Sequence, residues 1–183
     1  MFHPDTQFLI DRWADLARAP KVRGGIPARA GIAPEDFGAR LPRTFLIRGA
    51  GPRSMLRLAG SWLEALHDRR LAGSPFLDLW CEASPALVVP ALNQAIREAR
   101  PVVVVAHLGP AAVQAEIALT PLRDADDRAE LFLGLVATAS TLSLAKGESR
   151  RLSARVTIGV GEHGRPDLRV VGRDFAATAA SGR

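Results

Sequence analysis

At 183 residues the chain makes one domain with extensions, or at most two small domains, and it is long enough to bury a core without staples. A single cysteine, Cys81, excludes an intramolecular disulfide and a cysteine-rich zinc site. The formal charge of +5 is unevenly spread: residues 146–183 hold eight basic and four acidic side chains, against 16 and 15 in residues 1–145.

The pI of about 10.8 therefore belongs largely to the C-terminal stretch. A basic tail attracts nucleic acid or acidic lipid. Here no aromatic residues interleave the basic ones and no helix-turn-helix pattern appears, so nucleic acid is not expected as a partner. The composition is simply arginine-biased, with Lys21 and Lys146 as its two lysines. No charged segment leads into an apolar run of signal-peptide type, and the apolar runs stop short of the ~18 residues of a membrane span. A cytoplasmic protein is expected.

Asp5 to Ala19 is predicted as an amphipathic helix. Leu9, Trp13 and Leu16 fall at i, i+4 and i+7, with Asp5 or Thr6 as cap and Pro20 as stop. The stripe has to be covered, either by the chain's own sheet or by a second copy. The expectation is a homodimer with Leu9, Trp13 and Leu16 at its interface. Residues 20–42 form a connector with four prolines and four glycines, with room for one helical turn at Ala33–Phe37.

Arg43–Arg48 and Ser54–Ala59 read as a hairpin around Gly49-Ala50-Gly51-Pro52, with Leu56 and Leu58 on one face. A short helix over 62–69 follows, then an apolar knot, Phe76-Leu77-Asp78-Leu79-Trp80. Ser84-Pro85 opens a longer helix that runs to Ala99, with Pro90 as a blemish. Three apolar runs come next, at 101–109, 112–122 and 131–138, each bounded by Gly, Pro or charge: three sequential strands. After Ala145 the pattern weakens. A hairpin over 155–171 is conceivable, and 175–183 read as disordered. The chain thus divides into a helix and connector (1–42), a central domain (43–145) and a basic, partly disordered tail (146–183), dispensable for folding.

Two strands, short helices, a longer helix and three strands is the order that resembles a PAS domain. The resemblance tightens at Arg57-Leu58-Ala59-Gly60-Ser61, Leu71-Ala72-Gly73 and Phe76-Leu77-Asp78-Leu79-Trp80. These are similar to the pattern RLAGT…L.G..FLDLW of an alphaproteobacterial stand-alone PAS subfamily. Ile26-Pro27-Ala28-Arg29, Leu41–Ile47 and Ala118-Leu119-Thr120-Pro121-Leu122 match its P-x-R, LP-x-xFL and LLLPL segments. The chain departs from it at Trp62-Leu63-Glu64 and at His67-Asp68, where a pocket would be lined. The resemblance implies an α+β fold, a five-stranded antiparallel sheet covered by helices on one face, with the N-terminal amphipathic helix outside it. It also implies a pocket between sheet and helices, lined here by Trp62, Leu66, Phe76, Trp80, Leu92 and Ile96, with His107 as the nearest polar group from the sheet. No cofactor follows from it.

Other candidate sites reduce to structural readings. His67 and His107 lack a second ligand at metal spacing. Cys81 lacks the Asn-Cys-Arg-Phe-Leu-Gln run of blue-light receptors and reads as a small buried thiol. Asp124, Asp126 and Asp127 lack the spacing of a calcium loop and read as a solvated turn. Arg151-Leu152-Ser153-Ala154-Arg155 has the Arg-x-x-x-Arg spacing of PilZ-type cyclic-di-GMP readers without the second motif. No catalytic constellation stands out, so no enzyme is expected. The expected function is a PAS-type sensory or regulatory module of bacterial signal transduction with no output domain on the chain, binding a small ligand or a signalling protein partner. The alternative is a purely structural dimerisation domain with a packed core.

Overall fold

Strands this rich in Val, Leu and Ile cannot leave either face in water, and the fold covers both. The computed structural model describes residues 1–20, 22–109, 111–138, 148–161 and 166–173, with Arg23 and residues 166–173 by backbone alone. Its strands are β1 (Thr44–Arg48), β2 (Met55–Ala59), β3 (Val102–Leu108), β4 (Val113–Leu122), β5 (Leu131–Thr138), β6 (Leu152–Val160) and β7 (Pro166–Arg173). They form one antiparallel sheet in the order β2-β1-β5-β4-β3-β6-β7. The helices are α1 (Pro4–Ala17), α2 (Ser61–His67) and α3 (Pro85–Arg97).

All five expected strands form, and the sheet is wider than expected by two. With five strands, β3 would be an edge. Its residues Val102, Val103, Val104 and Ala106 are buried on both faces, and an apolar edge is an aggregation hazard. β6 removes that edge by pairing with β3 from Val102↔Gly159 to Leu108↔Leu152, and β7 pairs with β6 in turn. The boundary at 145 is corrected accordingly: β6 is part of the domain, with Leu152, Ala154 and Val160 buried. Residues 139–147, where that boundary was placed, and residues 174–183 lie outside the described residues.

On one face, Phe45, Ile47, Leu56, Val104, Ala106 and Ile117 pack under α2, α3 and the 3-10 turn Phe76–Leu79. On the other, Leu46, Val103, Ala118, Leu133 and Leu135 pack under Leu9, Ile10 and Trp13 of α1 and Phe37 of the connector. The Trp13 indole N–H donates to the Pro121 carbonyl at 2.7 Å, fixing α1 on β4. This corrects the interface assignment of Leu9, Trp13 and Leu16. Leu9 and Trp13 are buried within the chain and Leu16 is half-buried beside them. β4 and β5 are apolar on both faces, and the nearest amphipathic stripe satisfies the second one. The cap of α1 is His3, whose Nδ1 accepts from the Asp5 amide at 3.1 Å, in place of Asp5 or Thr6.

Candidate functional site

The residues expected to line a pocket between sheet and helices are largely buried and pack on one another. Phe76, Trp80 and Leu92 are each at most 2% exposed. Phe45 stacks on Phe76 at 5.6 Å, and Phe76 meets Trp80 edge-on at 5.9 Å. Trp62, Leu66 and Ile96 are half-buried against the same cluster. Trp62 sits at its rim, with the Arg43 guanidinium over its ring at 4.4 Å. Among the buried polar atoms left unmatched here is the Trp80 indole N–H, which has no acceptor among the described residues.

His107 does not join them. Val102, Val104, Ala106 and Leu108 face the helices, so strand alternation turns His107 with Val103 toward the α1 face. Its pairing with Gln114 and Ser153 is that of an ordinary ladder residue.

A cavity lies on the other face, at the β1–β2 end of the sheet. It is an open groove of about 410 Å³. Its floor is Leu58↔Leu46↔Leu133, a cross-strand row from β2 through β1 to β5 that continues inward to Thr120 of β4. Burial falls toward the edge: Thr120 is fully buried, Leu133 and Leu46 are 8% and 9% exposed, and Leu58 is 55% exposed. The wall is the connector, through Ile32, Phe37 and Leu41, the last 43% exposed. Arg29 is the charged residue of its lining.

Leu58 reaches that floor because of a β-bulge. Ile47 opposes Leu56 and Leu46 opposes Leu58, so Arg57 has no partner residue on β1. The extra residue reverses the alternation, placing Leu56 in the helix-side core and Leu58 on the opposite face. Strict alternation had put the two leucines together, and the bulge corrects that. Gly60 closes the end of the groove. A Cβ there would overlap the Pro42 carbonyl, so only glycine lets β2 turn into α2 against the connector.

A second, polar cleft lies at the end of α2, lined by His67, Arg69, Asp78 and Arg150 among others. Arg150 donates to the Leu66 carbonyl and so holds the helix terminus. The His67 Nε2 is buried without a partner among the described residues. Burial, reinforced by Arg69 and Arg150, lowers its pKa to about 4, so the ring is neutral at pH 7.

Asp124 is buried, not solvated as expected. Its Oδ1 accepts from the amides of Asp126 and Arg128 at 2.9 and 3.0 Å, and its Oδ2 from Arg48 at 3.1 Å. The Arg128 amide bond above all, with Asp126 and Arg48, holds its carboxyl below the usual range. It organises the β4–β5 turn. Cys81 is half-exposed, which corrects its reading as a buried thiol. Among the described residues no group of His, Cys, Asp and Glu is arranged to hold a metal, and no helix is long and apolar enough to cross a membrane.

The residues expected to line a pocket lie on the helix side of the sheet or, for His107, on the α1 side, and apart from Phe45's neighbourhood they do not meet the groove. The segments 26–29, 41–47 and 57–61, three of those that carry the family resemblance, supply Arg29, Leu41, Pro42, Phe45, Leu46, Leu58 and Gly60 of its lining. Their convergence needed the bulge and the path of the connector, which periodicity does not reveal.

A PAS domain family model matches residues 1–137. Two solved structures are similar in part. One, described as "Flavin Analogue Sheds Light on Light-Oxygen-Voltage Domain Mechanism", is 13% identical with a TM-score of 0.44, covering 58% of this chain and 83% of its own. The other, the light state of the blue-light photoreceptor Aureochrome1 LOV, is 15% identical with a TM-score of 0.41, covering 54% and 82%. No curated protein matches the sequence.

Proposed function

The chain belongs to the PAS domain family, and from that premise we propose that it is a sensory or regulatory module of bacterial signal transduction, binding the apolar part of a small ligand in the groove over Leu46 and Leu58. The observation that carries this reading is the groove itself. Leu41 and Leu58 are left facing water on either side of an apolar floor, and its ~410 Å³ lies within the ~300–1,000 Å³ of small-molecule sites. The connector forms one wall and the sheet edge the other, so occupancy changes how the connector seats on the sheet. A protein partner reading that surface then receives the signal by a shift in population. In this reading the chain is not an enzyme, it works in the cytoplasm as a homodimer, and it falls in the alphaproteobacterial PAS subfamily. The convergence of the motif segments on the groove supports the last assignment.

The test is native mass spectrometry of the purified protein with methyl NMR of its leucines and isoleucines. A co-purified small molecule, or an apolar additive that shifts Leu46, Leu58 and Leu133, is the expected result. A second reading, a structural interaction domain that binds nothing small, is favoured by the direct ring contacts of Phe45, Phe76 and Trp80 between helices and sheet. It prevails if the protein is ligand-free and those methyls respond only to a protein partner.

A further inference from the structure

We propose that the groove takes an amphipathic carboxylate, its acyl chain lying over Leu58, Leu46 and Leu133 and its carboxylate on the Arg29 guanidinium. The proposal rests on the groove being a ligand site and adds the chemistry of the ligand. Four other arginines of the connector, α1 and β1 are occupied. Arg12 pairs with Asp36, Arg40 with Asp5, Arg48 with Asp124, and Arg43 stacks on Trp62 while donating to Thr138. Arg29 is a half-buried residue of the groove lining, and its side chain makes no hydrogen bond or ion pair among the described residues. Its backbone is fixed: its amide donates to the Arg123 carbonyl at 2.8 Å and its carbonyl accepts from Ile32 at 3.1 Å. An unpaired, pre-positioned cation beside an apolar floor selects against both neutral and cationic ligands. The first strips water from the guanidinium without replacing it, and the second is repelled. A carboxylate matches the planar fork with two parallel bonds.

Calorimetric titration with decanoate, octanoate and decanol, followed by methyl NMR, tests this. Decanoate should bind at least fivefold tighter than decanol and shift the methyls of Leu46, Leu58 and Leu133. Octanoate should bind roughly 15-fold more weakly than decanoate, about fourfold per methylene lost from the groove. Arg29→Gln should bring decanoate to the level of decanol and leave decanol unchanged. The variant keeps its melting temperature, since the side chain it removes holds nothing in place. Leu58→Gln, at an exposed position, should weaken all three. Equal binding of decanoate and decanol overturns the carboxylate assignment and leaves the ligand site standing. No groove shift with either overturns both. A peptide ending in an apolar residue that binds the groove and resists displacement by decanoate overturns the acyl class.

Discussion

The Ala154 amide donates to the Ser84 hydroxyl at 3.0 Å, and that hydroxyl in turn reaches the Leu152 carbonyl at 3.3 Å. One side chain thus ties β6 to the start of α3. Ser84 is at the N-cap position, yet it makes no cap bond, because its hydroxyl is already engaged with β6. The Cys81 amide adds a bond to the same Leu152 carbonyl at 2.8 Å. Replacing Ser84 by Ala leaves the buried Ala154 amide unsatisfied and should cost ~1–3 kcal/mol. Denaturant titration measures the loss, and hydrogen exchange at Ala154 locates it. Ending the chain before β6 should lower the melting temperature by far more than a few degrees. A truncated protein that melts like the full chain would show that β3 tolerates being an edge.

Leu92, Trp62 and Trp80 on the helical face differ in their surroundings, and substitution should separate them. Leu92 is fully buried, so Leu92→Ala should cost ~2–5 kcal/mol. Trp62 is half-buried at the rim and held by its contact with Arg43, so Trp62→Ala should cost less, ~1–2 kcal/mol, despite losing more atoms. Trp80→Phe removes a buried N–H that has no acceptor among the described residues. It should cost under ~1.5 kcal/mol, whereas Trp80→Ala should cost ~3–5 kcal/mol. Chemical unfolding of the four variants ranks them, and a Trp80→Phe as damaging as Trp80→Ala would mean that the indole N–H has a partner.

Trp13 anchors α1 to its own sheet, so its loss should be felt as stability rather than as dissociation alone. Trp13→Ala removes a buried ring and its bond to Pro121 and should cost ~3–5 kcal/mol. Trp13→Glu with Leu16→Glu places a carboxylate at a buried site and should leave the second face of the sheet uncovered. Circular dichroism melts run beside light scattering distinguish the outcomes. A doubly substituted protein with an unchanged melt but a smaller particle would put the stripe at a subunit interface.

The sheet was legible where one physical signal dominated. Val102–Leu108, Val113–Leu122 and Leu131–Thr138 are apolar runs bounded by turn residues, and all three form strands where expected. The position of α3 followed from Ser84-Pro85 and its apolar spacing, although the serine serves β6. What stayed hidden depended on contacts between distant segments. β6 has only a brief alternation of its own and is recruited by the exposed edge of β3. The bulge at Arg57 leaves no mark in a hydrophobic pattern, and it alone decides that Leu58 floors the groove. Gly134 is similar: the Phe45 ring from the neighbouring strand takes the place of its missing side chain. None of these pairings has a counterpart in local spacing, so the groove could not be assembled from the chain read in order.

His67 makes stability depend on pH in a defined window. Its folded-state pKa of about 4 lies below the ordinary 6.5, because the ring is buried beside Arg69 and Arg150. Between those two values the unfolded chain holds a proton that the folded chain does not. Stability from this group is therefore complete above pH 6.5 and declines as pH falls toward 4. The limiting slope for one proton is ~1.4 kcal/mol per pH unit. The ring is partly exposed, and Asp78 and Glu148 line the same cleft, so a loss of ~1–2 kcal/mol across the window is expected. The Asp124 carboxylate acts in a different window. Its pKa is depressed, so its contribution is present above the ordinary carboxylate value and is lost only below it. Denaturant titrations at pH 4.5 and 7 should therefore differ more for the parent than for His67→Gln. An NMR titration of the ring should show no protonation down to pH 5. Arg150→Gln should move the midpoint upward by removing a neighbouring cation. An imidazole that titrates near 6.5 in the folded parent would mean that the cleft admits enough water to solvate the charged ring.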